Sequence, residues 1–427
     1  MRVLIINRVL AKALPVVLIL LGPFAVGALQ LLSLWGVALA AAAAVALFAF
    51  ASGSLRAKKA TLVLASAALA VTASDLGLRL LPLVPNDMIE RWPRLPIIFR
   101  YVPDAHFEGY RFNDLSRMAG VIEWREYKRV RLVTDSEGFR NERADAARPL
   151  DVIVLGDSFG AGAVSQEHTW SNILASKYGL STYNLSTPAS GPWQQYVNLL
   201  AEKDRLSAGE GTLLVWQLFT GNDLEDYYGP LEPGEIPWCG PLAAWVNRAN
   251  SFRGRSPVRF LLQRREPSRD VIPLDFINGR KLLFYRPYVE AAPRTAEQVV
   301  GHVSYERFRA TVGAVKGLAG AQRLRLAVVL VPSKEEVYEW AWRGATPWST
   351  RPEPSGFAVA LARVCEEEGI PLLDLKPHLV RESRRAFEES GQLFYWYDDT
   401  HMSTAGNVLS ASVIHDALIL GRVRPAE

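Results

Sequence analysis

Cysteine and histidine are scarce in this sequence, and its net charge is small. The 427 residues include two cysteines, Cys239 and Cys365, and six scattered histidines. No CxxC pair or Cys/His spacing is present, so no zinc site is predicted. The net charge of +4 is too small to indicate a nucleic-acid partner. The cysteines either pair in a compartment outside the cytoplasm or remain two buried thiols, and their spacing decides neither.

Charged residues are absent between Ala13 and Ser54, a run roughly twice the ~20 residues that one membrane-spanning helix needs. We therefore predict two helices there, with a break near Gln30–Gly36. A shorter apolar run from Ala60 predicts a third helix. Basic residues at the amino terminus and in Arg56–Lys59 mark the cytoplasmic side under the positive-inside rule.

This pattern predicts a multi-pass protein of the bacterial inner membrane, held in the lipid bilayer through residues 1–83. Three crossings place the chain after about Leu83 in the periplasm or outside the cell. If Ala60–Ser74 instead lies on the membrane surface, the later domain faces the cytoplasm. A cleaved signal peptide is disfavoured, because the apolar stretch is too long for one and lacks a clear cleavage site.

Apolar strands alternate with helical patterns after Asp151. The predicted strands are Val152–Leu155, Thr182–Leu185, Thr212–Leu218, Leu326–Val331 and Pro371–Leu375, and the predicted helices are Thr169–Lys177, Trp193–Lys203, Ser304–Leu318, Gly356–Glu368 and Thr404–Leu420. Such alternation is typical of an α/β fold with a parallel sheet and helices on both faces, a three-layer arrangement.

The soluble part divides into a connector and a larger domain. Residues 84–150 are rich in proline, arginine and aromatic residues, and we predict that they pack on the flank of the domain formed by residues 151–427. An insertion at about 224–295 interrupts the strand–helix rhythm. Its aromatic residues could stack on sugar rings or pack internally, and packing is the commoner role.

Three polar blocks lie near the ends of apolar segments. Gly156-Asp157-Ser158 comes directly after the first strand, where a Gly-x-Ser turn can expose a serine hydroxyl at the carboxyl end of a sheet. Asn222 follows the third strand, and Asp398-Asp399-Thr400-His401 precedes the final helix. A turn-forming role would suit each block taken alone. Their succession supplies a nucleophile, a base, a carboxylate and an amide donor, which acyl transfer requires.

In this order the three blocks resemble the SGNH (GDSL) hydrolase superfamily, in particular its membrane-anchored branch that modifies exopolysaccharides. The resemblance implies a flavodoxin-like sheet with Ser158 as nucleophile and His401 as general base. The carboxylate is Asp398 if the spacing is DxxH, as in most SGNH enzymes, and Asp399 if it is DxH, as in many membrane-attached relatives. Neither metal nor organic cofactor is implied.

The resemblance also implies an oxyanion hole with three donors. These are the backbone N–H of Ser158, the side chain of Asn222 and a backbone N–H of the block Asn184–Gly191. The family's usual glycine falls on Ala189 by spacing, and Gly191 follows two residues later, so both are candidates.

Two further segments match this branch. Thr134–Asn141 resembles the element that precedes the serine block, although an Asp/Gly turn would explain it equally well. Pro332-Ser333-Lys334 follows a strand as in exopolysaccharide-modifying relatives, where Lys334 could meet an anionic sugar; a solvated lysine is the ordinary expectation.

The sequence therefore predicts a membrane-anchored serine esterase that removes or transfers small acyl groups, acetyl above all, on carbohydrate or a cell-envelope polymer. A polysaccharide O-acetyltransferase and a lipid esterase are the enzymatic alternatives. A non-catalytic glycan-binding or assembly component of the envelope polysaccharide machinery is the alternative that Ala189 favours.

Overall fold

A computed structural model of the protein describes residues 88–421 except for 112, 143–148, 255–266 and 277–278, together with isolated positions between 55 and 74. Within this described part, no helix has both the length and the apolar character that a membrane crossing requires. The membrane helices predicted within residues 1–83 lie outside the described residues, apart from those isolated positions.

Strands and helices alternate along the described chain. The strands are β1 (Ile89–Arg91), β2 (Phe99–Tyr101), β3 (His106–Arg111), β4 (Lys128–Val133), β5 (Val152–Leu155), β6 (Thr182–Asn184), β7 (Leu213–Phe219), β8 (Val271–Asp275), β9 (Lys281–Tyr285), β10 (Arg325–Val331) and β11 (Leu372–Asp374). The helices are α1 (Asp114–Ala119), α2 (Ser158–Ala161), α3 (Trp170–Tyr178), α4 (Pro192–Glu202), α5 (Pro241–Gly254), α6 (Arg286–Ala291), α7 (Ala296–Val300), α8 (Tyr305–Ala321), α9 (Lys334–Val337), α10 (Glu339–Trp342), α11 (Gly356–Glu368), α12 (Lys376–Ser390) and α13 (Thr404–Ile414).

Five apolar strands form one parallel sheet in the order β11-β10-β7-β5-β6. Counted along the chain, this is the 2-1-3-4-5 order of flavodoxin-like folds. The chain moves from β5 outward to β6 and then returns to the other side of β5, so the order reverses between β5 and β7. Ligands of such sheets bind at this reversal, outside the carboxyl ends of the strands. Ser158 follows β5 and Asn222 follows β7, so both lie at this end.

Helices cover both faces of the sheet. All four residues of β5 are at most 1% exposed, although successive side chains point to opposite faces. On one face, Val154 shares a core with Trp170 of α3 and Ala411 of α13. On the other face, Trp216 Nε1 donates to Gln195 Oε1 of α4 at 2.6 Å. The predicted fold class, a parallel sheet between two layers of helices, is confirmed.

The described chain separates into two compact units. Residues 91–96 and 238–254 belong to one, which contains α5. In it Trp92 and Trp238 meet edge to face, with ring centroids 5.7 Å apart. The other unit contains residues 88–90, 97–237 and 267–421, apart from the gaps given above, and it holds all the candidate site residues. The insertion predicted at 224–295 contributes to both units and contains the antiparallel hairpin β8–β9.

The connector contributes a second antiparallel hairpin, in which β3 pairs with β4 and Arg111 stands opposite Lys128. One face of this hairpin is apolar and buried, through Phe107, Val130 and Leu132. Helix α1 lies between the two strands in sequence. Its Ser116 N–H donates to the carbonyl oxygen of Asp398 at 3.2 Å, so the connector contacts the last of the three blocks.

The segment Thr134–Asn141 joins this hairpin to the central sheet. It contains the Asp/Gly turn that its sequence predicts, closed by a bond from Gly138 N to Asp135 O at 3.1 Å. Gly138 has φ +79°, and a Cβ there would lie 2.2 Å from the Tyr101 carbonyl oxygen. Beyond the turn, Asn141 bonds both backbone groups of Asn184 through its side-chain amide, at 3.0 and 2.8 Å.

Candidate active site

Small residues let the turn after β5 present a serine. Asp157 caps helix α2 by accepting from Phe159 N at 2.7 Å, and Ser158 is the first helical residue. A Cβ at Gly156 would lie 2.5 Å from Gln217 Oε1, and one at Gly160 would lie 2.2 Å from Ser186 Oγ. Both glycines are therefore required by close neighbours, and the turn holds the Ser158 hydroxyl at the rim of the sheet.

The serine hydroxyl begins a hydrogen-bonded relay. Ser158 Oγ lies 2.7 Å from His401 Nε2, and His401 Nδ1 lies 2.6 Å from Asp399 Oδ1. Asp399 also accepts from the backbone N–H of His401 at 3.2 Å. Asp399 is fully buried, and His401 is 9% exposed. The structure thus brings together three residues that lie up to 243 positions apart in the chain.

Of the two aspartates, Asp399 is the one that bonds the imidazole, through the DxH spacing. Asp398 is also fully buried, but it points toward the connector. It accepts from Asn113 Nδ2, from Ser116 Oγ at 2.7 Å and from Glu126 N at 3.0 Å. Asp398 therefore anchors α1 against the loop of the third block.

Asp114 is a site residue that the sequence reasoning missed. Its Oδ2 lies 3.8 Å from His401 Nδ1, and its carboxylate accepts from the backbone N–H of Thr400 at 2.9 Å and from the Thr400 hydroxyl. Asn113-Asp114 stands at the start of α1, where such residues ordinarily cap a helix. The only sequence signal was this cap-like pair, which gives no reason to expect contact with a residue almost 290 positions later.

Burial and opposite charge set the protonation of the relay. Burial favours the neutral form of Asp399, but the charge and hydrogen bond of His401 outweigh it and hold the pKa of Asp399 well below its usual range. Burial lowers the pKa of His401, but Asp399 and then Asp114 raise it above the ordinary value. Asp399 is thus an acceptor for Nδ1–H, which leaves Nε2 to accept the Ser158 proton.

Burial, followed by the charge of Asp399, raises the pKa of Asp114 to about 6. Asp114, Asp399 and His401 have potential ligand atoms within 4.8 Å of one another. However, the 2.6 Å separation of Asp399 Oδ1 from His401 Nδ1 is that of a charge-assisted hydrogen bond, with no space for a cation between them. We therefore assign this group to proton transfer.

Aromatic rings close one side of the imidazole. The Phe159 ring lies 4.9 Å from the His401 ring and stacks on Phe219 at 4.2 Å. On the other side of Ser158 is a cavity of about 30 Å³. A buried water needs at least ~10–15 Å³, so the cavity holds about two water-sized groups. Its walls are Ile89, Tyr101, Arg111, Val130, Leu132, Arg140, Ser158, Gly162, Val164 and Pro188.

Two backbone N–H groups of the block Asn184–Gly191 were candidates for the oxyanion hole, and only one of them is free of a hydrogen bond within the described protein. The N–H of Gly191 donates to Gln194 Oε1 at 2.9 Å, so Gly191 serves as the cap of α4 and its amide is occupied. Among the described residues, the Ala189 N–H has no acceptor. Ala189 is exposed and has φ +54°, the left-handed region that favours glycine.

The amide of Asn222 is held by a neighbouring carboxylate. Asn222 Nδ2 lies 3.3 and 3.2 Å from the two carboxylate oxygens of Asp226. A Cβ at Gly191 would lie 2.3 Å from Asp226 Cβ, so Asp226 also packs directly against that glycine. An amide nitrogen carries two hydrogens, so one remains for a second acceptor.

Both sequence interpretations of Lys334 are wrong: the side chain is not solvated, and it is not accessible to an anionic sugar. Its side chain is fully buried, and Nζ donates to the carbonyl oxygens of Leu283, Trp396, Tyr397 and Asp399 at 2.6, 2.7, 3.0 and 3.2 Å. Burial lowers its pKa. Lys334 therefore ties hairpin β8–β9 to the loop that carries Asp399.

Arg140 has a comparable structural role next to Ser158. Its guanidinium donates to the carbonyl oxygens of Ala161, Gly162 and Val164 at 2.9, 2.7 and 2.6 Å. It also donates to Gln166 Oε1 at 2.9 Å. This single side chain holds the loop that follows the serine helix. The described cysteines, Cys239 and Cys365, are both free thiols.

The protein resembles known proteins in structure only. No family model and no curated protein matches the sequence. Similar solved structures include the esterase EstA from Pseudoalteromonas sp., which is 10% identical, with 63% of this chain and 97% of that chain covered and a TM-score of 0.33. Another is a putative lipolytic protein of the G-D-S-L family from Desulfitobacterium hafniense, 13% identical, with 62% and 98% covered and a TM-score of 0.31.

A third similar structure is a member of the lipolytic protein G-D-S-L family from Veillonella parvula, 11% identical, with 63% and 97% covered and a TM-score of 0.31. The chemistry proposed below depends on the geometry of this chain's own residues.

Proposed function

We propose that this protein is a serine esterase of the SGNH type that removes or transfers a small acyl group on a carbohydrate or cell-envelope polymer. The observation that carries this proposal is the continuous relay from Asp399 through His401 to Ser158, with separations of 2.6 and 2.7 Å. A nucleophile, a base and a group that orients the base are the arrangement that activates a serine hydroxyl.

In the proposed mechanism, Ser158 Oγ attacks the ester carbonyl while His401 Nε2 takes its proton. The Asp399 carboxylate stabilises the imidazolium that forms. The oxyanion accepts from the N–H groups of Ser158 and Ala189 and from the Asn222 amide. Collapse expels the alcohol, which takes the proton from His401, and leaves the acyl group on Ser158. Water or a sugar hydroxyl then attacks the acyl-enzyme by the same steps in reverse order.

The size of the cavity supports a small acyl group. Its volume of about 30 Å³ beside Ser158 suits the methyl and carbonyl groups of an acetyl ester. The walls contributed by Val130, Leu132 and Val164 are apolar and would contact the methyl group. A fatty acyl chain would need a far longer channel, so this observation disfavours the lipid esterase.

We also propose that the enzyme is anchored in the bacterial inner membrane and faces the periplasm. Support comes from the uncharged run between Ala13 and Ser54 and from the basic residues that flank it. An envelope polysaccharide would be within reach of such an enzyme, and a sugar hydroxyl as acceptor would make it an O-acetyltransferase.

A fluorophosphonate probe and p-nitrophenyl acetate test the proposal on the purified full-length protein. We expect labelling and acetate release by the wild type and by Ser207→Ala, which removes an exposed hydroxyl, and neither by Ser158→Ala. Labelling that survives Ser158→Ala would remove Ser158 from the mechanism. Absence of labelling in the wild type would favour the non-catalytic glycan-binding component. Recovery of an O-acetylated sugar instead of acetate would identify a transferase.

A further inference from the structure

Arg111 lines the cavity beside Ser158, and no residue that the structure describes forms an ion pair with it. It is only partly exposed, and its Nε is buried with no hydrogen-bond partner. Among the described residues, no carboxylate oxygen lies within ion-pair distance of its guanidinium, and no acceptor bonds it. A buried guanidinium donor without an acceptor is unfavourable in free energy, because it loses its bonds to water.

The position of Arg111 in its strand makes this arrangement unusual. Side chains alternate between the two faces of β3, and Phe107 on the inward face is buried while Glu108 and Tyr110 on the outward face are exposed. Arg111 shares the inward face with Phe107. It also stands directly opposite Lys128, and like charges opposite one another destabilise an antiparallel pair.

Two other cations lie near this cavity: Arg140, which is fully hydrogen-bonded, and Lys128, whose Nζ has no hydrogen-bond partner among the described residues but does not line the cavity. Arg140 donates to four carbonyl oxygens, those of Arg131, Ala161, Gly162 and Val164, and to Gln166. Lys128 Nζ lies 3.6 Å from the centroid of the Trp396 ring and 3.9 Å from Asp398 Oδ1. Within the described part of the chain, Arg111 is thus the one charged side chain that lines the Ser158 cavity and has its donors free.

We propose that Arg111 forms an anion-binding subsite, so that the substrate carries a carboxylate, sulfate or phosphate group next to its scissile ester. This inference rests on the proposed function. The planar guanidinium presents paired donors that match the oxygens of such a group. The cavity is small and Ser158 also lines it, so the anionic group must lie within a few bonds of the ester.

The anionic group can lie on the acyl group or on the alcohol of the ester, and two pairs of substrates distinguish these two possibilities. The first pair is mono-4-nitrophenyl succinate and its methyl ester, which differ in the charge of the acyl group. The second pair is O-acetylated methyl galacturonoside and O-acetylated methyl galactoside, which differ in the charge of the alcohol. We expect the wild type to prefer the charged member of one pair by about tenfold or more in kcat/KM.

Arg111→Gln should remove that preference, measured as the ratio of kcat/KM within the pair. The matched control is Arg129→Gln, which removes an exposed arginine from the outward face of the same hairpin and should keep the ratio. Equal kcat/KM for both members of both pairs in the wild type would overturn the subsite. So would a preference that persists in Arg111→Gln.

A binding measurement keeps this inference separate from the esterase proposal. Sodium sulfate at millimolar concentration should raise the Tm of the wild type and of Ser158→Ala in a saturable manner, relative to sodium chloride of equal ionic strength. Arg111→Gln should lose the saturable rise, and Arg129→Gln should retain it. If Arg111→Gln fails to fold, the wild type and Ser158→Ala decide: a saturable rise supports the subsite, and its absence contradicts it. This holds whether or not any ester is hydrolysed.

Discussion

The carboxylate of Asp114 lies 3.8 Å from Nδ1 of His401, the ring nitrogen that Asp399 bonds at 2.6 Å. The Nδ1–H of His401 is hydrogen-bonded to Asp399, and 3.8 Å is too long for a hydrogen bond to Asp114 as well. Asp114 therefore acts on the imidazole through its charge. It is held in place by the backbone and hydroxyl of Thr400. The His401 imidazole therefore lies beside two carboxylates, one from the connector and one from the loop before the last helix.

Asp114→Asn should move the acid limb of the kcat/KM–pH profile to lower pH. In the proposed mechanism the base is neutral His401, and the charges of Asp399 and Asp114 raise its pKa. Removing one of these charges lowers that pKa, so the imidazole stays neutral at more acid pH. Asp275→Asn, which removes an exposed carboxylate of β8, should leave the limb in place. An unchanged limb in Asp114→Asn would show that Asp114 has only a structural role.

The two neighbouring aspartates should differ in the kind of loss that they cause. Asp399→Asn should lower kcat by about 10⁴-fold with little change in stability, because an asparagine favours the wrong imidazole tautomer. Asp398→Asn should instead reduce the free energy of unfolding by roughly 2 kcal/mol, because buried donors lose a charged acceptor. Urea denaturation and kcat measured on the same samples separate these effects. A larger kcat loss in Asp398→Asn would reverse the assignment.

Ala189→Gly should retain activity and change stability little. The left-handed conformation at φ +54° costs an alanine about 1 kcal/mol, and glycine relieves this while adding a similar entropy to the unfolded chain. Ala310→Gly on the exposed side of α8 should lose about 1 kcal/mol, because no such strain is relieved there. Thermal denaturation of both variants makes the comparison. A greater loss at 189 than at 310 would contradict the strained backbone.

Lys334→Met should destabilise the domain by about 3 kcal/mol, because four carbonyl oxygens lose a charged donor at a buried site. The loop that carries Asp399 and His401 should loosen, so kcat should fall as well. Lys316→Met on the surface of α8 removes an exposed ion pair and should change the free energy of unfolding by less than about 1 kcal/mol. Hydrogen exchange across residues 396–401 would locate the effect, and similar exchange in both variants would contradict it.

The central sheet could be predicted because its strands are continuous apolar runs. Val152–Leu155 was predicted with the bounds that the structure shows, and Leu326–Val331 differs from β10 by one residue. Parallel strands buried on both faces carry this signal strongly. The helix Gly356–Glu368 was also predicted without error, since Ser355 caps it and Gly369 ends it in the left-handed region.

Elements with few buried side chains were missed. Helix α12 (Lys376–Ser390) was not predicted, because its charged residues outnumber its aliphatic and aromatic ones and only Leu379, Val380 and Ser383 are buried. The predicted final helix Thr404–Leu420 ends as an α-helix at Ile414 and continues as a π-helical turn, His415–Ile419. Hydrophobic periodicity does not report such a local change of winding.

At the site, the three polar blocks could be found because two follow strands and the third precedes the last helix, but the residues that hold them in place could not. Asp114 and Lys334 bond residues far along the chain, and Arg111 shares a cavity with Ser158, which is 47 positions later. Nothing in the local sequence of Lys334 distinguishes a fully buried ammonium from a solvated one, because burial depends on the packing of the β8–β9 hairpin over it. The choice between Asp398 and Asp399 likewise needed the position of α1.

The bond between Asp398 and α1 also determines how the protein can be shortened for expression. A fragment starting near Leu150 would contain all three polar blocks, yet the buried carboxylate of Asp398 would lose its donors Asn113, Ser116 and the Glu126 amide. Such a fragment is expected to be recovered mainly in inclusion bodies, so any minimal expressed version has to begin upstream of α1.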